Sequence, residues 1–359
     1  MNRLTPSAIA NLKKIIPRIK GKRIGVLGDV MLDRYLWGTA SRLSPEAAVP
    51  VVDFVEQSEC LGGAGNVAVN IAALGARVEM FGIVGGSGSR DDEAGAALRD
   101  CLRAAHIGDK GVLADKSRVT TVKTRVIARH QQIVRIDRER RDPLAKGVQE
   151  ELLRALFTAA KKLDGFVLSD YDKGLINDEL AERVLSACHK LGLPVFVKPK
   201  TSRLYAYRGA RAIVCNAKEA GFFITSSLTD EKSVEEAGRK LLAHFGCSAV
   251  VITRGEKGMS IFEESSPHHL TIPATSFEIT YARVGQAGIE RGATGRQVFD
   301  VTGAGDTVLS VLAAAVAAGA SLPDAAILAN TAAGVVVGKL GTASVSPQEL
   351  AHALDDLTR

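Results

Sequence analysis

The residues with the clearest chemical potential form a short turn near the carboxyl end of the chain. Residues Asp300 to Thr307 read DVTGAGDT and run directly into the apolar segment from Val308 to Ala318. Such a turn can place several backbone N–H groups at the start of a helix, where the helix dipole attracts an anion such as a phosphate. The Asp306 carboxylate could accept a proton from an attacking hydroxyl. The turn therefore suits phosphoryl transfer, but a glycine-rich turn before a helix is as often only a turn.

A second glycine turn lies much earlier in the sequence. Residues Gly62 to Asn66 read GGAGN and precede the small-residue segment from Val67 to Leu74. The bare backbone at Gly63 and the side-chain amide of Asn66 could bind a polyhydroxylated ligand that bulkier residues would exclude. A tight turn in which Asn66 caps the following helix explains the same residues equally well.

Two aspartates follow the first predicted strand. Residues 28–33 read GDVMLD, which places Asp29 and Asp33 where open α/β sheets build ligand sites. Carboxylates at such positions can accept paired hydrogen bonds from neighbouring hydroxyls of a sugar. Asp33 could equally be a solvated loop acid.

Polar residues also follow two later strands. Asn216, Lys218 and Glu219 come after the strand that ends at Cys215. Glu219 could hold a hydrated magnesium ion that bridges phosphates, but an acid in the first turn of a helix is common without any metal. The segment 253–258 reads TRGEKG and could contact adenine or ribose, although a simple turn also explains it.

Basic residues concentrate in one extended stretch. Lys123, Arg125, Arg129 and Arg135 lie close together in sequence, and Lys173 follows another predicted strand as a point charge. A strand face of this kind is by default a solvated surface. A substrate phosphate bound under a lid would need the same charges, so both interpretations stay open.

The elements that must position these residues alternate between strands and helices. Strand-like apolar runs cover 23–27, 78–84, 165–168, 195–197, 212–215 and 249–253, and helix-like patterns cover 66–74, 92–105, 148–162, 178–190 and 234–244. This alternation predicts a doubly wound, mostly parallel α/β sheet with helices on both faces. Right-handed crossovers would bring the functional loops to the carboxyl ends of the strands.

Other stretches depart from that alternation. Residues from about 49 to 60 and from about 118 to 137 alternate without a crossover helix, and we expect them to form a small β-strand lid. The range 276–296 is rich in glycine and polar residues and is predicted to be a loop or excursion. An amphipathic pattern predicts a leading helix, so that 1–21 form an N-terminal helical segment and 22–359 the main domain.

Composition limits the classes of function. The chain has 359 residues, of which 46% are apolar, enough for a large core. The net charge of +6 is small for this length, and aromatic residues make up only 5%, so nucleic-acid binding is not indicated. Five cysteines without a CxxC pair fit a reducing compartment. Because the sequence shows neither an export signal nor a membrane-spanning apolar run, we expect a soluble cytoplasmic protein with no membrane partner.

Taken together and in this order, these segments resemble the ribokinase (PfkB) family of carbohydrate kinases over residues 22 to about 354. The DxTGAGD signature at 300–306 and the GGxxN element at 62–66 carry the resemblance. It implies a ribokinase-like fold and the transfer of a phosphoryl group from ATP with magnesium.

Within that family, five further segments are similar to the D-glycero-D-manno-heptose-7-phosphate kinases of lipopolysaccharide precursor synthesis. They are GDVMLDRY at 28–35, SRLSPEAAVPVV at 41–52, RHQQIVRIDRE at 129–139, SDYDKGL at 169–175 and KLGTASVSPQEL at 339–350. The similarity implies phosphorylation of the anomeric C1 hydroxyl of the heptose 7-phosphate to give the 1,7-bisphosphate.

The resemblance also implies a role for each group of candidate residues. Asp306 would be the catalytic base, and the amides of Gly303, Ala304 and Gly305 would form an anion hole. The residues implied to bind the sugar phosphate are Asp33, Gly63, Asn66, Arg125, Arg129, Gln131 and Lys173. Those implied to bind the nucleotide are Asn216, Lys218, Glu219, Thr253, Gly255, Gly258 and Asn330, with Glu219 also holding magnesium through water. Because the family's lid strands commonly pair between subunits, a homodimer is expected.

The sequence departs from the family in three places. The family usually has Asp-Pro-Lys after the 195–197 strand, whereas residues 198–200 read KPK, and this reversal of charge near the phosphates can alter magnesium handling or nucleotide affinity. Residues 85–92 read GGSGSRDD, longer than the family's compact turn, and 276–296 reads as an insertion.

Bifunctional relatives carry a nucleotidylyltransferase domain after the kinase domain. Since this sequence ends at Arg359, it is expected to perform only the kinase step. The alternatives are a PfkB kinase for another sugar or sugar phosphate and a non-catalytic sugar- or nucleotide-binding relative.

Overall fold

The computed structural model describes residues 4–87, 90–129, 131–200, 207–275, 303–339 and 343–358. The strands in these ranges are β1 Arg23–Gly28, β2 Val30–Leu43, β3 Pro50–Gly63, β4 Arg77–Ser87, β5 Arg90–Asp91, β6 Gly108–Asp115, β7 Thr121–Ala128, β8 Gln131–Arg138, β9 Gly165–Ser169, β10 Val195–Lys198, β11 Ala212–Asn216, β12 Ala249–Thr253, β13 Met259–Glu263 and β14 Leu270–Ile272. The α-helices are α1 Pro6–Ile19, α2 Ala64–Ala73, α3 Glu93–Ala104, α4 Lys146–Ala160, α5 Asp178–Lys190, α6 Ala217–Phe223, α7 Glu231–Phe245, α8 Ala304–Ala317, α9 Leu322–Val336 and α10 Pro347–Asp355.

A large sheet forms the centre of the molecule, in the order β14-β13-β12-β11-β10-β9-β1-β4-β5, with β6 beside β4. The strands from β6 through β4, β1, β9, β10 and β11 to β12 run parallel, whereas β13, β14 and the two-residue β5 are antiparallel to their neighbours. The predicted doubly wound, mostly parallel sheet is confirmed. Its carboxyl edge collects the ends of five consecutive parallel strands, β1, β9, β10, β11 and β12.

Helices cover both faces of this sheet. In β1, Ile24 and Val26 face a core with α1, α2, α3, α8, α9 and α10, while Leu27 faces a second core with α4, α5, α6 and α7. Alternate side chains of a strand point to opposite faces, so a strand buried on both faces must be apolar throughout. This explains the continuous apolar run that predicts β1.

The small sheet has the order β3-β2-β7-β8, with β2 antiparallel to β3 and parallel to β7. The predicted lid strands correspond to β3 and to a hairpin, because the 118–137 stretch contains both β7 and β8, which turn at Arg129 with a φ of 49°. The alternative that Asp33 is a solvated loop acid is wrong, because Asp33 is a buried residue of β2. The burial of β2 changes from complete at Val30–Asp33 to partial beyond, so no single periodicity reveals it.

Besides β2, the elements that the sequence pattern does not reveal are β5, β6, β13, β14, α9 and α10. The predicted leading helix corresponds to α1, which packs Ile9, Leu12 and Ile16 into the same core as α8 and α10. The predicted excursion at 276–296 lies outside the described residues. Within the described ranges, no helix combines the length and apolar character that crossing a membrane requires.

Candidate active site

The carboxyl ends of the parallel strands and the start of α8 surround a cavity of about 490 Å³. The candidate residues that line it are Asp33, Gly63, Asn66, Arg125, Asn216, Glu219, Thr253, Gly255, Gly303, Ala304, Gly305 and Asp306. The lining also includes Lys123 and Arg135 of the basic stretch. It further includes residues to which the sequence assigns no binding role, namely Met31, Tyr171, Lys198, Val214 and Cys215. Residues separated by more than 270 positions in the sequence therefore meet in one site.

The Asp306 carboxylate is buried at the centre of this cavity and accepts three hydrogen bonds. Tyr171 Oη and Lys198 Nζ each donate to Oδ1 at 2.6 Å, and Asn66 Nδ2 donates to Oδ2 at 2.9 Å. An ionised carboxylate offers about four lone-pair positions. Among the described residues, these three contacts leave one acceptor position, on Oδ2, for a hydroxyl of a ligand.

The amino terminus of α8 presents N–H groups that have no partner among the described residues. The Thr307 N–H donates to the Gly303 carbonyl at 2.9 Å and opens the helical ladder, so the N–H groups of Ala304, Gly305 and Asp306 have no partner within the helix. Gly303 adopts a φ of 83°, and a Cβ there would approach Asn66 Nδ2 to 3.0 Å. Glycine is thus required at this position. The beginning of the signature, 300–302, lies outside the described residues.

A chain of hydrogen bonds fixes the orientation of Asn66. Thr307 Oγ1 contacts Asn70 Oδ1 at 3.0 Å, and Asn70 Nδ2 donates to Asn66 Oδ1 at 3.2 Å and to the Asn66 carbonyl at 2.9 Å. With its oxygen engaged by Asn70, the Asn66 amide presents its NH₂ group to Asp306. Asn70 was not identified from the sequence, although a second asparagine four residues after Asn66 in an otherwise apolar helix is the signal that could have found it.

Lys198 is the residue at which the sequence departs from the family pattern. It ends β10, and its ammonium lies 2.6 Å from Asp306 Oδ1 and 3.5 Å from Tyr171 Oη. Burial alone would lower the pKa of Lys198, but the adjacent negative charge of Asp306 outweighs burial and raises that pKa above its ordinary range. Burial and the charge of Asp306 likewise raise the pKa of Tyr171. Both groups are therefore protonated donors at neutral pH.

Basic side chains of the lid sheet line part of the cavity. Arg125 Nη1 donates to Asp33 Oδ1 at 2.8 Å, and Asp33 is only 4% exposed. Lys123 and Arg135 line the same wall and both contact Asp137, at 2.8 and 2.9 Å. The lid sheet thus brings three cations to one side of the cavity, with one buried carboxylate among them.

Six candidate residues lie outside the cavity lining. Lys173 Nζ is 2.8 Å from the Glu139 carboxylate, and Asn330 Nδ2 donates to the Pro273 carbonyl at 2.8 Å. Gly258 closes the turn between β12 and β13, where its N–H donates to the Gly255 carbonyl. The remaining three are exposed, Lys218 on α6 and Arg129 and Gln131 at the tip of the β7–β8 hairpin.

The part of the cavity where the sequence places the nucleotide is built on the start of α6. Asn216 and Glu219 form a capping box, in which the Glu219 N–H donates to Asn216 Oδ1 at 2.8 Å and the Asn216 N–H donates to Glu219 Oε2 at 2.9 Å. Glu219 Oε1 is 4.0 Å from Lys200 Nζ. The sequence left two roles open for Glu219, and the capping role is present.

The residues here also fit a hydrated magnesium ion. In the described ranges, no group of three or more His, Cys, Asp or Glu side chains could enclose a metal ion. Magnesium does not need such a cage, because it keeps several waters and is bound by one or two carboxylates together with phosphates. Glu219 Oε1 lies outside the capping box, at the cavity wall, where it can contact such waters.

Asp29 holds the loop that carries Tyr171. Its Oδ2 accepts from the backbone N–H groups of Tyr171 at 2.8 Å and Lys173 at 3.2 Å, and its Oδ1 accepts from Leu175 at 3.4 Å. Burial and the neighbouring Asp170 raise the pKa of Asp29 to about 6, even though the three backbone donors act in the opposite direction. Asp29 therefore positions the loop. Its carboxyl group holds its proton to a higher pH in the folded state than in the unfolded state.

We expect Asp29→Asn to change the pH dependence of stability. Because the folded-state pKa lies above the ordinary 3.8, Asp29 lowers the free energy of unfolding progressively as pH rises from about 4 to 6. Between about pH 4.5 and 7.5, the variant should gain about 2 kcal/mol relative to the wild type. Urea unfolding of both proteins at the two pH values measures this difference, and a constant difference would contradict the assignment.

Comparison with known protein families and curated proteins gives consistent matches. The family described as pfkB family carbohydrate kinase matches residues 22–349. The chain is similar to the bifunctional protein HldE of Geobacter metallireducens (41% identical over 341 residues, 95% of this chain and 64% of the relative). It is also similar to the proteins of that name from Geobacter sulfurreducens (44% over 329 residues, 92% and 62%) and Nitrosococcus oceani (43% over 341 residues, 94% and 65%). It therefore spans slightly less than two thirds of the length of these relatives.

Solved structures with the same fold include two sugar kinases. Ribokinase from Arabidopsis thaliana, complexed with ribose and ATP, superposes with a TM-score of 0.68 at 17% identity, over 93% of this chain and 99% of that one. Phosphofructokinase-2 from Escherichia coli, in complex with potassium, gives a TM-score of 0.71 at 17% identity, over 95% and 100%. At such identities the similarity shows the fold, which is ribokinase-like.

Proposed function

Because this chain belongs to the pfkB family of carbohydrate kinases, we propose that it phosphorylates the anomeric C1 hydroxyl of D-glycero-D-manno-heptose 7-phosphate, using ATP. The product would be the 1,7-bisphosphate, a precursor of ADP-heptose and of the lipopolysaccharide core. One observation carries the proposal: a single cavity holds a buried carboxylate beside a helix amino terminus on one side and three lid cations on the other. The motifs shared with heptose-phosphate kinases and the similarity to proteins named HldE support the choice of sugar.

The proposed reaction assigns each wall of the cavity a task. The C1 hydroxyl binds at the open position of Asp306 Oδ2, and Asp306 takes its proton as the C1 oxygen bonds to the γ-phosphorus of ATP. The bond from that phosphorus to the bridging oxygen breaks, and ADP leaves with the electron pair. The free N–H groups of Ala304 and Gly305 stabilise the charge on the transferred group. Magnesium, held by Glu219 through water, would neutralise phosphate charge.

The sugar phosphate is proposed to lie against the lid. Asp33, Gly63 and Asn66 bind sugar hydroxyls, and Lys123, Arg125 and Arg135 bind the 7-phosphate. Lys173 is a weaker candidate for that phosphate than the sequence indicates, because it lies outside the cavity lining, where its ammonium pairs with Glu139. Use of ATP is consistent with a cytoplasmic site of action.

Turnover with a panel of acceptors tests the proposal. The protein is incubated with ATP, magnesium and either the heptose 7-phosphate, the unphosphorylated heptose, a hexose, a hexose phosphate or a nucleoside, and ADP release is measured. We expect rapid release with the heptose 7-phosphate alone and a 1,7-bisphosphate product by ³¹P NMR. Turnover only on another acceptor would favour a different PfkB kinase, and binding without ADP release would favour the non-catalytic alternative.

We also propose a homodimer formed through the lid sheet. Most of the exposed large apolar side chains among the described residues belong to this sheet or to its β2–β3 connection. They are Trp37, Leu43, Val49, Phe54, Val55, Ile133, Val134 and Ile136. Every residue of β8 is exposed. Contiguous apolar surface of this kind is typical of an interaction surface, and a second copy of the sheet would bury it.

The oligomeric state tests this surface. We expect the wild type to be a dimer by light scattering, and Phe54→Asp combined with Ile136→Asp to be a folded monomer, because each carboxylate would be buried unpaired in the interface. Leu191→Asp is the matched control, since Leu191 is also exposed but lies just after α5. A monomeric wild type would contradict the proposal, as would a dimer that survives the double substitution.

A further inference from the structure

The Lys198 ammonium lies beside the carboxylate that the proposed reaction uses as its base. It is 2.6 Å from Asp306 Oδ1 and lies 3.5 Å from where a Cβ on Gly305 would be, so it borders the first turn of α8. Its side chain is 19% exposed and lines the cavity. The cation therefore faces the site rather than the protein core.

The geometry of in-line attack brings a phosphate to this position. An attacking hydroxyl lies about 2.6–3.2 Å from its base, and the reacting atoms lie about 3–3.5 Å apart before reaction. Together these lengths place the attacked phosphorus within about 7 Å of the Asp306 carboxylate. Lys198 contacts that same carboxylate, so the phosphoryl oxygens come within reach of its ammonium.

The Lys198 ammonium also has an N–H group that can donate to a ligand. It carries three N–H groups, and its contacts within the described ranges are Asp306 Oδ1 and the more distant Tyr171 Oη. Other charged groups facing it are Glu219, which attracts it, and Lys200, whose ammonium lies above the same Tyr171 ring. The third N–H is available to an anionic ligand.

A role in stability alone does not explain the ion pair between Lys198 and Asp306. Burying two charges costs about as much as their attraction returns, so such a pair adds little to stability. A lysine is, in contrast, an effective point charge for phosphate.

On the premise of an ATP-dependent kinase, we propose that Lys198 is a catalytic residue that binds the γ-phosphoryl group of ATP. In the nucleotide-free state it pairs with Asp306, and when ATP binds it donates to a γ-phosphate oxygen while remaining beside the carboxylate. Lys198 thus supplies, from β10, a fixed positive charge that complements the amides of α8.

Nucleotide binding without any sugar tests this role directly. Titration calorimetry in EDTA compares ATP with ADP for the wild type, Lys198→Met, Asp306→Asn and the double variant. We expect the wild type and Asp306→Asn to bind ATP more tightly than ADP. Lys198→Met should reduce the ratio of ATP affinity to ADP affinity about tenfold or more in both backgrounds, because a hydrogen bond to a charged group is lost. ADP affinity should stay within about twofold, since ADP lacks the γ-phosphate.

The double variant separates phosphate binding from simple neutralisation of Asp306. If Lys198→Met has no effect in the Asp306→Asn background, Lys198 serves only to neutralise Asp306 and the proposal is wrong. Equal losses for ATP and ADP would also overturn it, because they indicate a general disturbance of the site. The double variant replaces a charge pair by neutral groups and is expected to fold, which circular dichroism checks.

Two further comparisons complete the experiment. Lys13→Met is the matched control, since Lys13 also pairs with a carboxylate, Asp355 at 2.5 Å, but away from the cavity, and its ATP preference should be that of the wild type. Lys198→Arg, which retains the charge, should restore part of the preference. If the wild type binds neither nucleotide, the kinase proposal fails as a whole, whereas normal nucleotide binding without turnover of the heptose 7-phosphate rejects only the choice of sugar.

Discussion

Replacement of Asp306 by Asn is expected to lower kcat by about 10²–10⁴-fold, the usual contribution of a general base. The amide oxygen can still accept from Tyr171 and Lys198 at the position of Oδ1. The NH₂ group replaces Oδ2, the atom with the open acceptor position, so it cannot accept from Asn66 or take a proton from the sugar hydroxyl. The chemical step should therefore fail although the cavity persists.

Steady-state kinetics of ADP release and calorimetric titration with ATP measure the two parts of this prediction. ATP should bind Asp306→Asn at least as well as the wild type, because the substitution removes a negative charge near the γ-phosphate. Asp324→Asn provides a matched control, since Asp324 also lies in the first turn of a helix, α9, but outside the cavity lining. Turnover of Asp306→Asn close to that of the wild type would show that Asp306 is not the base.

The sequence predicts the large sheet well because its strands obey one simple rule. Buried parallel strands such as β9 and β12 are continuously apolar, and the loops at their carboxyl ends carry the polar residues that meet in the cavity. The lid is harder to predict. The strand β2 passes from the core into solvent, so its residues follow two different patterns.

Within the site, the sequence predicts which residues are candidates better than it predicts their hydrogen-bond and ion-pair partners. Glycine turns and acids after strands are local signals, and they place Gly63, Asn66 and Asp306 in the candidate set. The carboxylate with which each lysine pairs, and so its position relative to the cavity, depends on segments that are distant in the sequence. Lys173 is paired with Glu139, 34 residues earlier, whereas Lys198 reaches Asp306, 108 residues later. No local pattern encodes either contact.

Loss of the Asp33 carboxylate is expected to reduce kcat/KM for the sugar phosphate by about 10²-fold. Asp33 is held in a single orientation by Arg125 at 2.8 Å and lines the cavity beside the lid cations. If the carboxylate accepts two hydrogen bonds from neighbouring sugar hydroxyls, each worth at least about 1.5 kcal/mol, their loss amounts to about 3 kcal/mol. The KM for ATP should change little, because Asp33 belongs to β2 of the lid sheet, whereas the residues proposed to bind the nucleotide lie at the carboxyl ends of β11 and β12.

Asp33→Ala and Asp33→Asn together distinguish sugar binding from support of the lid. If Asp33 binds the sugar, Asp33→Asn should have a higher kcat/KM than Asp33→Ala, because Asn keeps one acceptor and the shape of the side chain. If Asp33 only pairs its charge with Arg125, the two variants should have similar kcat/KM values. Arg125→Met removes the other partner of the ion pair with Asp33. It leaves Asp33 buried without its cation, so thermal unfolding should show a clear loss of stability together with a raised KM for the sugar phosphate. If Asp33→Ala raises the KM values for ATP and for the sugar phosphate equally, the carboxylate shapes the whole cavity and does not bind the sugar.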